Sequence, residues 1–179
     1  MSYISSETTE DIKSKLYVDT GPVLERNYGK YAGVGWVGKN TCLINQEIGS
    51  WIFLGEIITN IELEYDTVVP DRCGTCTRCI DACPTDAIIE PYVLDSRLCI
   101  SYLTIELKDK IPTELREGIG NNIYGCDICQ DVCPWNKRAH ISDKLEFEPR
   151  EELFNPNLSY ISRLSVEDFR LAPQRMPGQ

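Results

Sequence analysis

The chain has 179 residues, 42% of them hydrophobic and 26% charged, the make-up of an ordinary soluble globular protein of one or two domains. A formal net charge of −10 argues against general nucleic-acid affinity. No stretch approaches a membrane span, and the polar start from Met1 to Ser14 is no signal peptide, so the nine cysteines are expected in a reducing cytoplasm, where clustered thiols serve metals or redox work.

Met1 to Lys15 is polar and reads as a frayed lead-in. Leu16-Tyr17-Val18 is a short apolar run that ends a strand. Asp19 and Thr20 follow, then Gly21-Pro22, and a proline after small polar residues opens a helix. Val23, Leu24, Asn27, Tyr28 and Tyr31 fit that helix, and Gly33 closes it. Asp19 thus stands at a strand-to-helix junction, where an α/β scaffold presents working side chains; spacing alone favours a plain helix cap. Gly33 to Lys39 spells G-x-G-x-x-G, but the motif follows a helix and leads into the strand-like Thr41-Cys42-Leu43-Ile44, the wrong context for a dinucleotide site. Its glycines still allow close backbone approach to a large flat ligand or another loop. Thr41 to Ile44 and Trp51 to Ile58 read as the arms of a β-hairpin, the second apolar enough to be buried on both faces. Cys42 reads as a small buried hydrophobe. The polar connector from Thr59 to Asp71 places a domain boundary at Pro70.

Cys73, Cys76, Cys79 and Cys83, closed by Pro84, are spaced C-x2-C-x2-C-x3-C-P. Two-residue gaps let the backbone wrap three thiolates round one iron–sulfur cube, while the fourth reaches a different cube. A structural zinc site would bring paired C-x2-C hooks set well apart, and a disulfide framework suits an oxidising compartment. Asp95 caps a predicted helix from Ser96 to about Leu107, with Leu98, Tyr102 and Ile105 as its apolar stripe and Cys99 upon it. Pro112 opens a second short helix that ends near Gly118 or Gly120. Cys126, Cys129 and Cys133, closed by Pro134, repeat the first run without its opening cysteine, and Cys99 is the obvious replacement. The crossover rule applied to both runs gives one 4Fe-4S cluster on Cys73, Cys76, Cys79 and Cys133 and another on Cys83, Cys99, Cys126 and Cys129. The alternative keeps Cys83 in its own run, and the second run must then find a fourth ligand alone. His140 reads as a surface residue.

Val18 to Arg26, Ala32 to Thr41, Phe53 to Ile57, Ile100 to Glu106 and Cys126 to Asn136, taken with the two cysteine runs, resemble the epoxyqueuosine reductases over roughly Val18 to Phe169. The resemblance implies an α+β chain: residues 1–70 as the C-terminal part of a cobalamin-binding, reductive-dehalogenase-like α/β domain, 71–140 as a bacterial-type two-cluster ferredoxin domain, and 141–179 as a helical tail packing on the rest. It implies reduction of epoxyqueuosine to queuosine at the wobble position of a tRNA anticodon loop, with electrons passing from a low-potential donor through two 4Fe-4S clusters to cobalamin. The family's proton donor falls on Asp19, a role that needs a protonated carboxyl, supplied by burial beneath the corrin. Corrin contacts match Asp19, Leu43, Ser101 and Asp127. Arg26, Lys108, Lys137 and Arg138 are the candidate tRNA cations. The family carries further residues before Val18, and its tail differs after Phe169, so a fragment is expected; the chain is read as a cytoplasmic monomer without a membrane span. Two readings compete: a stand-alone ferredoxin-like carrier, which has no need of Val18 to Ile57, and a corrinoid reductive dehalogenase, which the joint Asp19 and Cys99-to-Glu106 pattern disfavours.

Overall fold

The computed structural model describes residues 12–149 and 156–168, so the first eleven residues of the expected lead-in and the tail after residue 168 lie outside the described residues. The chain divides into two compact units, Met1–Ala139 and His140–Gln179. In the second, Leu145–Phe147 forms a 3-10 turn and α5 (Leu158–Ile161) is capped by Asn157, whose side chain accepts the Ser159 N–H at 2.8 Å.

In the first unit β1 (Ser14–Tyr17) pairs antiparallel with β4 (Glu56–Thr59), placing Leu16 opposite Ile57. Between them lie α1 (Glu25–Tyr31) and the small hairpin of β2 (Trp36–Val37) and β3 (Leu43–Ile44). The expected pairing of Thr41–Ile44 with Trp51–Ile58 is therefore corrected. Leu43 pairs with Val37, and the later arm crosses to β1. Its apolar residues are not buried on both faces either, since Phe53, Ile57 and Ile58 are exposed. Gly35 explains the true partner. A Cβ there would meet the Ile44 carbonyl oxygen at 2.1 Å, so only glycine lets the two arms close. Helix α1 starts at Glu25 rather than at Pro22, and Gly33 ends it at φ 68°, in the left-handed conformation that glycine adopts readily.

The rear of this unit consists of short pieces. α2 (Arg78–Asp81) and α4 (Ile128–Asp131) each follow the start of a cysteine run and pack against each other. β5 (Ile88–Glu90) and β6 (Val93–Leu94) form a hairpin, and α3 (Arg116–Ile119) ends on Gly120 at φ 57°. The long helix expected from Ser96 is broken. Asp95 does cap, accepting the Arg97 N–H at 3.0 Å, but Cys99 turns extended and the chain resumes as a π-helix over Tyr102–Glu106. The buried stripe is accordingly Ile100 and Leu103, packed with Ile119, and Ile105 is exposed. A second core joins Trp36 and Ile44 of the hairpin to Cys133, with Trp135 edge-on to Trp36 at 5.0 Å. Among the described residues no helix is long and apolar enough to cross a membrane.

Candidate metal centre

All nine cysteines are free thiols. Cys73, Cys76 and Cys79 of the first run and Cys133 of the second line one cavity of about 230 Å³, walled by Ile44, Pro134 and Trp135 and by Lys39. Two features of the chain bring three sulfurs there from one run. A turn closes from Cys73 to Cys76, whose N–H donates to the Cys73 carbonyl at 3.2 Å, and Gly74 takes a left-handed φ of 53° inside it. Helix α2 then carries Cys79. Cys133 arrives from the far side because the second run packs its own end on the front hairpin.

The electrostatics of the bare thiols fit a bound cation. Burial pushes Cys79 up to about 11, and Cys129, Cys73 and Cys133 add to the rise. Burial also raises Cys133, with Cys73 and Cys76 pushing the same way. Thiolates packed this closely cannot all ionise unless positive charge lies among them. Among the described residues no group of three His, Cys, Asp or Glu side chains is poised for a single metal ion.

The second expected set is Cys83, Cys99, Cys126 and Cys129, of which Cys99, Cys126 and Cys129 come together. Burial raises Cys126, and both Cys129 and Cys99 are near enough to add to it. The Ser101 hydroxyl clamps Cys126, accepting its N–H at 3.1 Å and donating to its carbonyl at 3.2 Å. The Cys83 sulfur accepts the Ala87 N–H at 3.3 Å. Cys42, expected to be a buried hydrophobe, is half-buried. The Cys129 thiol is the main cause that lowers it, and Cys42 in return pushes Cys129 up, ahead of burial.

Sequence reasoning passed over the groups that bind hairpin to cysteine runs. Asn40, almost fully buried, donates to the Cys129 carbonyl at 3.4 Å and accepts the Cys42 N–H at 3.2 Å. Asn136 accepts the Ser50 N–H at 2.7 Å and donates to the Ser50 hydroxyl at 2.9 Å and the Gln130 carbonyl at 2.8 Å. Asn136→Ala strands these partners in a half-buried joint. It is expected to destabilise the protein by about 2 kcal/mol, read as a lower thermal midpoint of the anaerobic protein. Both asparagines lie in stretches that carry the resemblance, Ala32 to Thr41 and Cys126 to Asn136, but spacing assigns neither a role.

Residues 72–136 match the family model described as a 4Fe-4S double cluster binding domain. The chain is 50% identical over 162 residues to the epoxyqueuosine reductase of Synechocystis sp., covering 89% of this chain and 56% of that protein. The chain is similar to the epoxyqueuosine reductases along most of its own length. It spans about half the length of the curated relatives it matches. A solved epoxyqueuosine reductase with an epoxyqueuosine-modified tRNA-Tyr stem loop superimposes with a TM-score of 0.89 at 40% identity, covering 99% of this chain and 46% of that one. Another, from Bacillus subtilis, has its catalytic aspartate loop swung out of the active site; it matches with a TM-score of 0.88 at 39% identity, over 99% of this chain and 46% of that one.

The positions that the epoxyqueuosine reductase family marks are placed as follows. Asp19 is exposed, in the left-handed conformation at φ 58°, and its N–H donates to the Glu25 side chain at 2.7 Å. It does not cap α1, whose N-cap is Leu24. Leu43 is buried, and its side chain lies against Gly29 of α1. Ser101 is engaged with Cys126, and Asp127 is exposed at the start of α4, its carboxylate accepting from Gln130. Arg26 is committed to Thr41, donating to its carbonyl at 2.8 Å and its hydroxyl at 3.2 Å. Thr41 itself sits at φ 64°, an outlier for a β-branched residue. Lys108, Lys137, Arg138 and His140 are exposed.

Proposed function

We propose that this chain is the cluster-bearing part of an epoxyqueuosine reductase, and that it reduces epoxyqueuosine in a tRNA anticodon loop to queuosine. The observation that carries the reading is the meeting of Cys73, Cys76 and Cys79 with Cys133, a thiol from the other run, round one cavity. These four hold the first 4Fe-4S cluster, and Cys83, Cys99, Cys126 and Cys129 hold the second. Clusters so interleaved lie within the fold and pass single electrons between them.

The reaction removes the epoxide oxygen as water and leaves a double bond in its place, so two electrons and two protons are consumed. Cobalamin, held against Asp19, Leu43, Ser101 and Asp127, would supply a cobalt centre able to accept electrons and to open an epoxide. This chain's part is to present that group beside the second cluster. Separate contacts within these stretches support this. Asp19 is tied to Glu25, the neighbouring Arg26 holds Thr41, Cys42 meets Cys129, and Ser101 clamps Cys126 next to Asp127. In this reading Asp19, Leu43, Ser101 and Asp127 face the corrin beside the second cysteine set. In this reading Asp19 holds the proton that its carboxyl oxygen delivers to the departing oxygen. Its exposure here suits a group that the corrin and substrate cover. Exposed Lys108, Lys137 and Arg138 offer phosphate contacts, a role that the bound state of Arg26 leaves to them. The chain acts as a monomer supplied by a low-potential donor.

The test is anaerobic reconstitution of this chain with iron, sulfide and cobalamin, followed by incubation with a reductant and a stem loop carrying epoxyqueuosine. Queuosine detected by mass spectrometry supports the proposal. Zinc in place of iron, or bound cobalamin without turnover, sinks it. Asp19→Asn is expected to retain clusters and cobalamin while turnover falls by at least about a hundredfold. Unchanged turnover in that variant would remove Asp19 from the reaction.

A further inference from the structure

Lys39 is 9% exposed and lies in the wall of the first cavity. Its ammonium donates to the Gly74 carbonyl at 2.7 Å and to the Cys76 carbonyl at 2.9 Å. Among the described residues it forms no ion pair. The carboxylate that feels its charge, on Asp71, is already engaged by the Tyr92 hydroxyl and by the Cys73 N–H at 2.7 Å. The ammonium's direct partners are two neutral carbonyls, so Asp71 is only a distant, shared counter-charge. Four thiolates outweigh the positive charge of an iron–sulfur core, so a cluster in this cavity is anionic in both redox states. It gains one further negative charge on reduction.

We propose that Lys39 is the built-in counter-charge of the first cluster and raises its reduction potential. The proposal rests on the assignment of Cys73, Cys76, Cys79 and Cys133 to that cluster. The physics is asymmetric. A fixed cation in a low-dielectric wall stabilises the more negative, reduced state more than the oxidised one. Arg72 and Arg78 line the same cavity but are exposed, so water and salt screen them. The β2–β3 hairpin thereby adds something to the rear domain that a ferredoxin run alone does not carry, a charge delivered from a different part of the chain. The same hydrogen bonds fix the Cys73–Cys76 turn, so charge and shape have to be separated by experiment.

The experiment is an EPR-monitored redox titration of the anaerobic, reconstituted full chain, with iron counted first. Lys39→Gln keeps a polar head but no charge. It is expected to lower the reduced-to-oxidised ratio of the first cluster about tenfold at a fixed applied potential, a shift of ~59 mV for one electron. The second cluster should move much less. Lys39→Arg should titrate like the wild type, and Arg78→Gln should shift the first cluster far less than Lys39→Gln. A Lys39→Gln protein with full iron and an unmoved first cluster overturns the proposal. If Lys39→Gln loses that cluster, Lys39→Arg decides: a cluster regained at the wild-type potential supports the charge role, and loss in both variants overturns it. A wild-type chain with zinc, or with about half the expected iron, would instead refute the cluster assignment beneath it.

Discussion

Cys133→Ser is expected to empty the cluster of the first cysteine run and spare the cluster nearest in sequence to the substitution. Cys133 shares the cavity of Cys73, Cys76 and Cys79, while Cys126 and Cys129 of its own run stand with Cys99. Serine is close in size to cysteine and ligates iron poorly, so the effect reports ligation more than packing. Iron should fall from about eight to about four per chain. Alkylation followed by mass spectrometry identifies the lost site. Cys73, Cys76 and Cys79 should become reactive, and Cys83, Cys99, Cys126 and Cys129 should stay protected. Cys83→Ser should give the mirror image. Exposure of Cys126 and Cys129 by Cys133→Ser would mean that each run serves its own cluster. The crosswise assignment would then fall.

Removing iron from the full chain is expected to unfold much of residues 71–139. The reason lies in the scale of what remains. Helices α2, α3 and α4 have four residues each, too short to hold by their own hydrogen bonds. The rear core consists of Ile100, Leu103 and Ile119 with a few half-buried neighbours that include Cys126. The second core counts Cys133 among its buried members. Ligands are therefore part of the packing, and binding free energy becomes folding free energy. Hydrogen exchange before and after anaerobic chelation measures this. Amides that exchange slowly between 71 and 139 should lose protection at least about a hundredfold, or about 2.8 kcal/mol of opening free energy. Full protection in chelated protein would show that the short elements are self-supporting.

The sequence alone determined the iron–sulfur character of the cysteine runs and the number of thiols available to them, because ligand spacing is local. A two-residue gap dictates reach whatever surrounds it, and Pro84 and Pro134 close both runs wherever the chain goes. Helix ends were legible for the same reason, as with the Asp95 cap and the Gly33 and Gly120 stops. Strand pairing was not, because a partner is chosen by approach across space. Gly35 admits Ile44, so β3 turns back on Trp36 and Val37 and leaves Trp51 to Ile58 to find β1. Nor could spacing say that Cys99 breaks its helix, or that Cys42 comes to lie against Cys129. Only the tertiary structure decided what Lys39 does. A lysine after a glycine-rich stretch carries no address in the sequence. Folding buries its charge in the wall of a cavity lined by thiols from two distant runs.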